Sequence, residues 1–343
     1  MFDPKYTISP KLLDNIKRIA TLIFELNGKR FSKVVLLELE KKAREISAHA
    51  STSIEGNPLP LTEVKKILKS HPKFMRDSEK EILNYNEALL WLNEFVKKEP
   101  VHFNLPLILH IQKIITKGLI PEFRSGKIRK EPVFVNDPSI KKTVYWPPDH
   151  NDVSALLKEL FTFVRQNEKV LDPLIIAGVF HKQFVIIHPF MDGNGRTVRL
   201  ATKVLLAAVG LDTFNLFSFE NYYNQNVSDY FKHVGIQGNY YDIKNQVDFT
   251  SWLEYFTDGI IDELLRVSKN LQTSAITPQN ILQSHHNTII EHIKKNGFIT
   301  DKIYSTLTKR AKPTRNQDLN KLIELGLIER LGKGKATIYK LRQ

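Results

Sequence analysis

The chain has 343 residues, 42% of them hydrophobic, no cysteine, and a formal net charge of +13. That length allows two or three domains with sizeable cores, and the lack of cysteine excludes a disulfide framework and any thiolate metal site. No apolar run approaches the roughly 18 residues of a membrane span, and residues 1–10 lack the apolar core of a signal peptide, so the expectation is a cytoplasmic chain without a membrane partner.

Pro10 to Leu26 carries Leu13, Ile16, Ile19 and Ile23 at helical spacing, and Phe31 to Ile54 continues with Val34, Val35, Leu37 and Leu39. Both read as core-facing stripes of a helical N-terminal region, the second stopping at Gly56 before Pro58 and Pro60. Thr62 to Lys69 predicts a short helix with Thr62 as N-cap, and Asp77 to Lys97 a longer one. Leu105 to Lys117 opens the next domain; His102 and His110 lie near it without a partner at metal-ligand spacing. Val133–Asn136 and Thr143–Trp146 are short β-prone runs around Asp137-Pro138-Ser139, a predicted hairpin. Asn151 to Gln166 is amphipathic. Pro173 to Ile187 and Asn194 to Val209 are two apolar helices, the first with proline in its first turn and the second stopped by Gly210.

Between those two helices stands His188-Pro189-Phe190-Met191-Asp192-Gly193-Asn194-Gly195-Arg196-Thr197-Val198-Arg199. A glycine-bearing helix start offers backbone N–H groups to an anion. Arg196 and Arg199 add charge suited to several phosphates, while His188 supplies a base and Asp192 a metal ligand. Other phosphate and metal loops fail on spacing. No strand precedes Gly193-Asn194-Gly195 and the third glycine of a dinucleotide fingerprint is missing; the Gly-Lys-Ser/Thr of a P-loop is absent. Asp192 and Asn194 suit a calcium loop, but Arg196 and Lys203 stand where further oxygen ligands belong. The plainer reading is a tight interhelical turn.

The twelve residues match, at every specified position, the Fic-family signature His-Pro-Phe-x-Asp-Gly-Asn-Gly-Arg-x-x-Arg. The chain therefore resembles Fic proteins over about Leu37 to Leu265. The resemblance implies a mainly α fold: a helical Fic domain with a β-hairpin flap that holds a target's extended segment. It also implies transfer of AMP from ATP to a Ser, Thr or Tyr hydroxyl of a target protein. His188 would be the base, Asp192 would hold Mg²⁺, and Gly193, Asn194, Gly195, Arg196, Thr197, Val198 and Arg199 would line the ATP site. Phe190 would anchor the loop in the core. Tyr222 and Tyr230, from the aromatic stretch after Gly210, are candidates for the adenine and ribose wall, although aromatics at helical spacing more often belong to a core. Ser51-x-x-x-Glu55-Gly56 is similar to the family's N-terminal inhibitory motif, in which Glu55 would reach Arg199 and border the ATP site. A carboxylate paired with that guanidinium would exclude the γ-phosphate.

Phe249 to Leu265 resembles the closing helix of the family's core, and Gln272 to Ala275 with Thr277-Pro278 reads as a hinge. Ile276 to Gln343 then holds thirteen Lys/Arg against five Asp/Glu, a surplus of +8. Its predicted helices (Asn287–Asn296, Asp301–Leu307, Pro313–Leu325) and its basic hairpin resemble a winged helix-turn-helix domain. Arg315, Asn316, Gln317 and Lys321 would lie on a recognition helix, and Lys333 and Lys335 on the wing. Duplex DNA is the partner this suggests, with protein docking or dimerisation as the alternative. The expected layout is 1–100 helical with the inhibitory helix, 101–270 Fic core and 276–343 winged helix; a homo-oligomer is compatible with it. The reading is an autoinhibited adenylyltransferase. Transfer of another nucleotide, removal of AMP, a toxin role, or a DNA-binding regulator that uses the Fic core as a ligand sensor stand as alternatives.

Overall fold

Helices begin where the sequence supplies caps. In the computed structural model, which describes residues 2–31, 33–70, 72, 74–96, 102–137, 142–211, 213–276, 282–332, 334 and 337–342, the Ser9 side chain accepts from Leu12 N–H and starts α1 (Pro10–Asn27). Helix α2 (Lys33–Ile54) ends at Gly56, whose φ of 91° no β-carbon favours. Next come α3 (Leu61–Ser70), which takes in the expected cap Thr62, α4 (Asp77–Phe95) and α5 (Leu105–Ile115), capped by Asn104. The hairpin follows as β1 (Val135–Asp137) antiparallel to β2 (Lys142–Trp146). Helices α6 (His150–Asn167) and α7 (Pro173–Ile187) are capped by Asp149 and Asp172. Then come α8 (Asn194–Leu206), one 3-10 turn over Ala207–Val209, α9 (Glu220–Gln225) and α10 (Val227–Val234). A two-residue strand, β3 (Gly238–Asn239), pairs in parallel with β2, which the sequence did not announce; α11 (Tyr240–Ile243) and α12 (Thr250–Ile276) follow.

The chain divides into two compact units. The first comprises Met1–Lys29 and Lys42–Val267, so the N-terminal helical region and the Fic-like core share one body. Helix α8 lies between two apolar clusters of this unit. Val198 and Ala201 join a cluster with Val179, Phe180, Phe184 and Phe190, while Leu200 and Val204 join one with Ile82, Leu89 and Ile111. Burial on both sides explains why even the polar residues Arg196, Thr197, Arg199, Thr202 and Lys203 of α8 are buried.

The second unit comprises Arg30–Lys41 and Ser268–Gln343. It holds α13 (Ser284–Asn296), α14 (Asp301–Leu307), α15 (Lys312–Glu324) and the antiparallel pair β4 (Ile328–Leu331) and β5 (Ile338–Leu341). Ile299 adds a bridge to Tyr339. Its core gathers Ile289, Ile293, Tyr304, Leu319, Leu322 and Ile328, with Leu37 of α2 packed against them. The buried Asp318 accepts from Tyr304 Oη at 2.8 Å and pairs with Arg310 at 2.9 Å. His285 and His286 bring two more donor atoms toward it. His286 Nδ1 accepts the Gln283 N–H, which leaves its proton on Nε2 facing Asp318. Asp318 is thus shared among Tyr304, Arg310 and the two histidines.

The expected hinge at Gln272–Ala275 is helical, because nothing there breaks a helix and α12 runs on to Ile276. Pro138 and Ser139 of the hairpin turn, Thr277-Pro278, and the expected wing lysines Lys333 and Lys335 lie outside the described residues, as does the side chain of Val34. No described helix is long and apolar enough to cross a membrane.

Candidate active site

The site forms where α7 stops. His188 closes that helix in the left-handed region (φ 51°, ψ 60°) and is the one non-glycine residue with positive φ among those described. Such a backbone costs on the order of 1 kcal/mol or more without a fixing environment. Here the His188 N–H donates to Phe184 O at 3.0 Å, and its carbonyl accepts from Arg129 Nε at 2.8 Å. Phe190 then drops into the core, fully buried. Asn194 shuts the loop, accepting from Phe190 N–H and donating to Phe190 O, both at 2.9 Å. Gln112 Nε2 holds the Asp192 carbonyl at 3.1 Å. Gly193, at φ 80°, turns the chain into α8, and a β-carbon there would press on Ile115 and Thr116 at 3.1 Å.

His188 is half-buried. Its Nδ1 lies 3.3 Å from Val185 O. A carbonyl only accepts, so Nδ1 carries the proton and the Nε2 lone pair is left available. Burial pulls the imidazole down to about 4, with the nearby Arg129 charge acting in the same direction. The ring is therefore neutral at pH 7.

Arg199 is fully buried. Its Nε donates to Ser51 Oγ at 2.8 Å and its Nη2 to Ser51 O and Glu55 Oε1, each at 2.7 Å. Burial works against the guanidinium charge, but Glu55, together with Tyr230 and Tyr85, more than offsets it and holds the arginine's pKa above its ordinary value. Nη1 is buried without a hydrogen-bond partner among the described residues. Behind Arg199 runs a buried chain: Thr202 Oγ1 to His181 Nδ1, and His181 Nε2 to Tyr230 Oη, each at 3.0 Å.

The other sequence candidates divide. Arg196 donates to both oxygens of Asp192, at 3.2 and 3.0 Å, and to Glu81 at 3.0 Å. Val198 belongs to the core, and Thr197 is buried with its hydroxyl unpartnered. Tyr230 is buried and stacks on Tyr223 at 4.7 Å, whereas Tyr222 is half-buried against Tyr255. Arg129, Gln112, Glu81 and His181 carried no motif or spacing that would have singled them out.

The Fic/DOC family model matches residues 102–206. Residues 102–206 thus match a Fic domain. The chain is 27% identical over 226 residues to the protein adenylyltransferase Fic of Aedes aegypti, covering 60% of this chain and 44% of that protein. With the same-named protein of Drosophila melanogaster it shares 28% over 203 residues, covering 58% and 38%. The chain thus spans less than half the length of these relatives. Among solved structures, a Fic family protein from Desulfovibrio desulfuricans G20 aligns with a TM-score of 0.66 at 20% identity, covering 99% of this chain and 98% of the other. Fic-1 (residues 134–508) from C. elegans aligns at 0.60 and 20%, covering 77% and 73%. These likenesses establish the Fic fold.

Proposed function

We propose that the chain is an autoinhibited protein adenylyltransferase. The observation that carries this reading is the 2.7 Å pair between Glu55 and Arg199 beside a complete motif. A buried guanidinium needs acceptors that offset its lost hydration, and an anion is the strongest of them. Glu55 supplies one now, and the γ-phosphate of ATP would take the same fork. With Glu55 in place, ATP would enter with its triphosphate out of line; misplacement of about 1 Å at a reacting centre costs on the order of a hundredfold.

The reaction follows from the neutral His188. Its Nε2 takes the proton of a target Ser, Thr or Tyr hydroxyl. The hydroxyl oxygen bonds to the α-phosphorus, the bond from that phosphorus to the bridging oxygen breaks, and pyrophosphate leaves. Backbone N–H groups at the start of α8 face the phosphates, and Arg199 sets the α-phosphorus in line. Asp192 fits a Mg²⁺ ion: its side chain is 46% exposed, and Arg196 uses only part of its lone-pair capacity. When bound, the ion would neutralise phosphate charge. The outer edge of β1 is unpaired among the described residues and would take the target's extended segment.

The test is labelling of a lysate, or of the protein itself, with α-labelled ATP and Mg²⁺. Glu55→Gly should raise the initial rate strongly. Arg199→Ala should abolish that gain, and His188→Ala should abolish transfer while leaving ATP binding. Equal rates for wild type and Glu55→Gly would sink the autoinhibition, and labelling by His188→Ala would remove it as the base.

For residues 276–343 we infer a winged helix-turn-helix that binds duplex DNA. Three helices followed by the β4–β5 pair, together with the +8 surplus, support this. Asn316 and Gln317 are exposed on α15. Arg315 instead braces Asp301 at 2.8 Å and contributes less to a DNA face. Binding by the full chain should weaken steeply with salt; no binding at low salt would favour protein docking.

A further inference from the structure

Arg129 is 2% exposed, and its guanidinium bonds go to main-chain oxygens. Nε donates to His188 O at 2.8 Å, Nη1 to Glu131 O at 3.1 Å and Nη2 to Pro148 O at 2.5 Å. Its own N–H donates to Pro189 O at 2.9 Å. Glu131 and Pro148 flank the hairpin on either side, while His188 and Pro189 open the motif loop. One side chain thus ties both feet of the hairpin to the carbonyl of the residue held in a left-handed conformation.

We infer that Arg129 is a positioning residue, which sets the His188 ring and the β1–β2 hairpin in one fixed geometry for the incoming hydroxyl. The inference rests on the reading of His188 as base. Two arguments favour positioning over cross-bracing alone. A left-handed histidine persists only where its surroundings over-determine it, and the Arg129 bond is one of two that fix its peptide groups. In addition, a buried cation is a costly way to satisfy three carbonyls, and its charge sits beside an imidazole that must stay neutral to act. The burial that lowers Arg129's own pKa leaves it protonated at pH 7.

The test uses the full chain carrying Glu55→Gly, with α-labelled ATP and Mg²⁺. In that parent, Arg129→Gln should lower kcat about a hundredfold. The KM for ATP should move less than about threefold, since none of the three guanidinium bonds reaches residues 193–199. Arg129→Lys keeps the charge and reaches fewer carbonyls, so it should recover part of the rate. Thermal melts check that each variant is folded, and if the glutamine variant is not, the lysine variant carries the comparison. A folded variant whose kcat stays within about twofold of the parent overturns the inference, as does one that loses ATP affinity and keeps kcat. If the Glu55→Gly parent itself labels nothing, the adenylyltransferase reading has failed; a labelling parent with an unaffected Arg129→Gln variant defeats this inference alone.

Discussion

Gly195 is the residue at which the motif and the Ser51–Gly56 segment meet. A β-carbon there would overlap Glu55 Oε1, lie 2.9 Å from Glu55 Cδ and sit 3.1 Å from Arg199 Nη1. The glycine therefore makes room for the Glu55 carboxylate. Gly195→Ala should destabilise wild type by about 1–3 kcal/mol, because Glu55 must leave Arg199 or strain against the methyl. In a Glu55→Gly background the same change should be neutral, or stabilising by up to about 1 kcal/mol, since alanine is the better helix former. Urea midpoints of the four proteins give the coupling; equal shifts in both backgrounds would mean that Glu55 does not rest on residue 195. The histidines give a second expectation. Burial lowers His188 to about 4 and His181 well below its ordinary value. Between about 6.5 and 4 the unfolded chain binds protons there that the folded chain does not, so stability should fall as pH drops through that window and be fully present above it. Urea midpoints from pH 8 to 4 measure this, and a flat profile would contradict two rings that the fold keeps neutral.

The loop between α7 and α8 was legible in sequence as an element, but only in part as a division of labour. The Glu55–Arg199 pair that the resemblance implied is present at 2.7 Å. The place of Asn194 was not legible. Its amide was expected at the phosphates, yet both of its polar atoms close the loop on Phe190. Arg196 likewise meets Asp192 and Glu81, and the side chain of Val198 turns into the core. Periodicity shows which face of a helix is apolar; it does not show that α8 is enclosed on both sides, and that enclosure decides where its polar groups go. Asn194→Ala would leave the N–H and the carbonyl of buried Phe190 unpaired. At about 1–3 kcal/mol each, the expected loss is roughly 2–6 kcal/mol. Differential scanning calorimetry measures it, and a change under about 0.5 kcal/mol would show that the loop holds its shape without that amide.

At the scale of the whole molecule, helix boundaries were legible because caps and prolines mark them locally, whereas the division into units was not, because it depends on contacts far apart in sequence. Helix α2 shows the difference. It reads as one amphipathic run, yet its start up to Lys41 belongs to the second unit and the rest to the first. Leu37 packs with the core of the second unit, while Ala48 is buried in a cluster of the first. The Glu55 end of the helix is further held by Ser47, which donates to Ser218 at 2.7 Å, and by Ser51, which accepts from Arg199 at 2.8 Å. Local stability follows the core to which a segment belongs. The second unit is the smaller body, and a small core is the less stable one. Increasing urea should therefore open it first, taking residues 33–41 with it, while 43–54 stay protected with the first unit. Hydrogen exchange by mass spectrometry, read peptide by peptide along α2, should show two protection levels that separate near Lys41. On the autoinhibited reading proposed above, transfer should also stay suppressed at urea concentrations where only the first level has been lost, because Glu55 and Arg199 both lie in the unit that remains folded. A single exchange transition along all of α2 would show that the helix opens as one piece. Transfer that rises together with exchange at 33–41 would place control of Glu55 in the second unit.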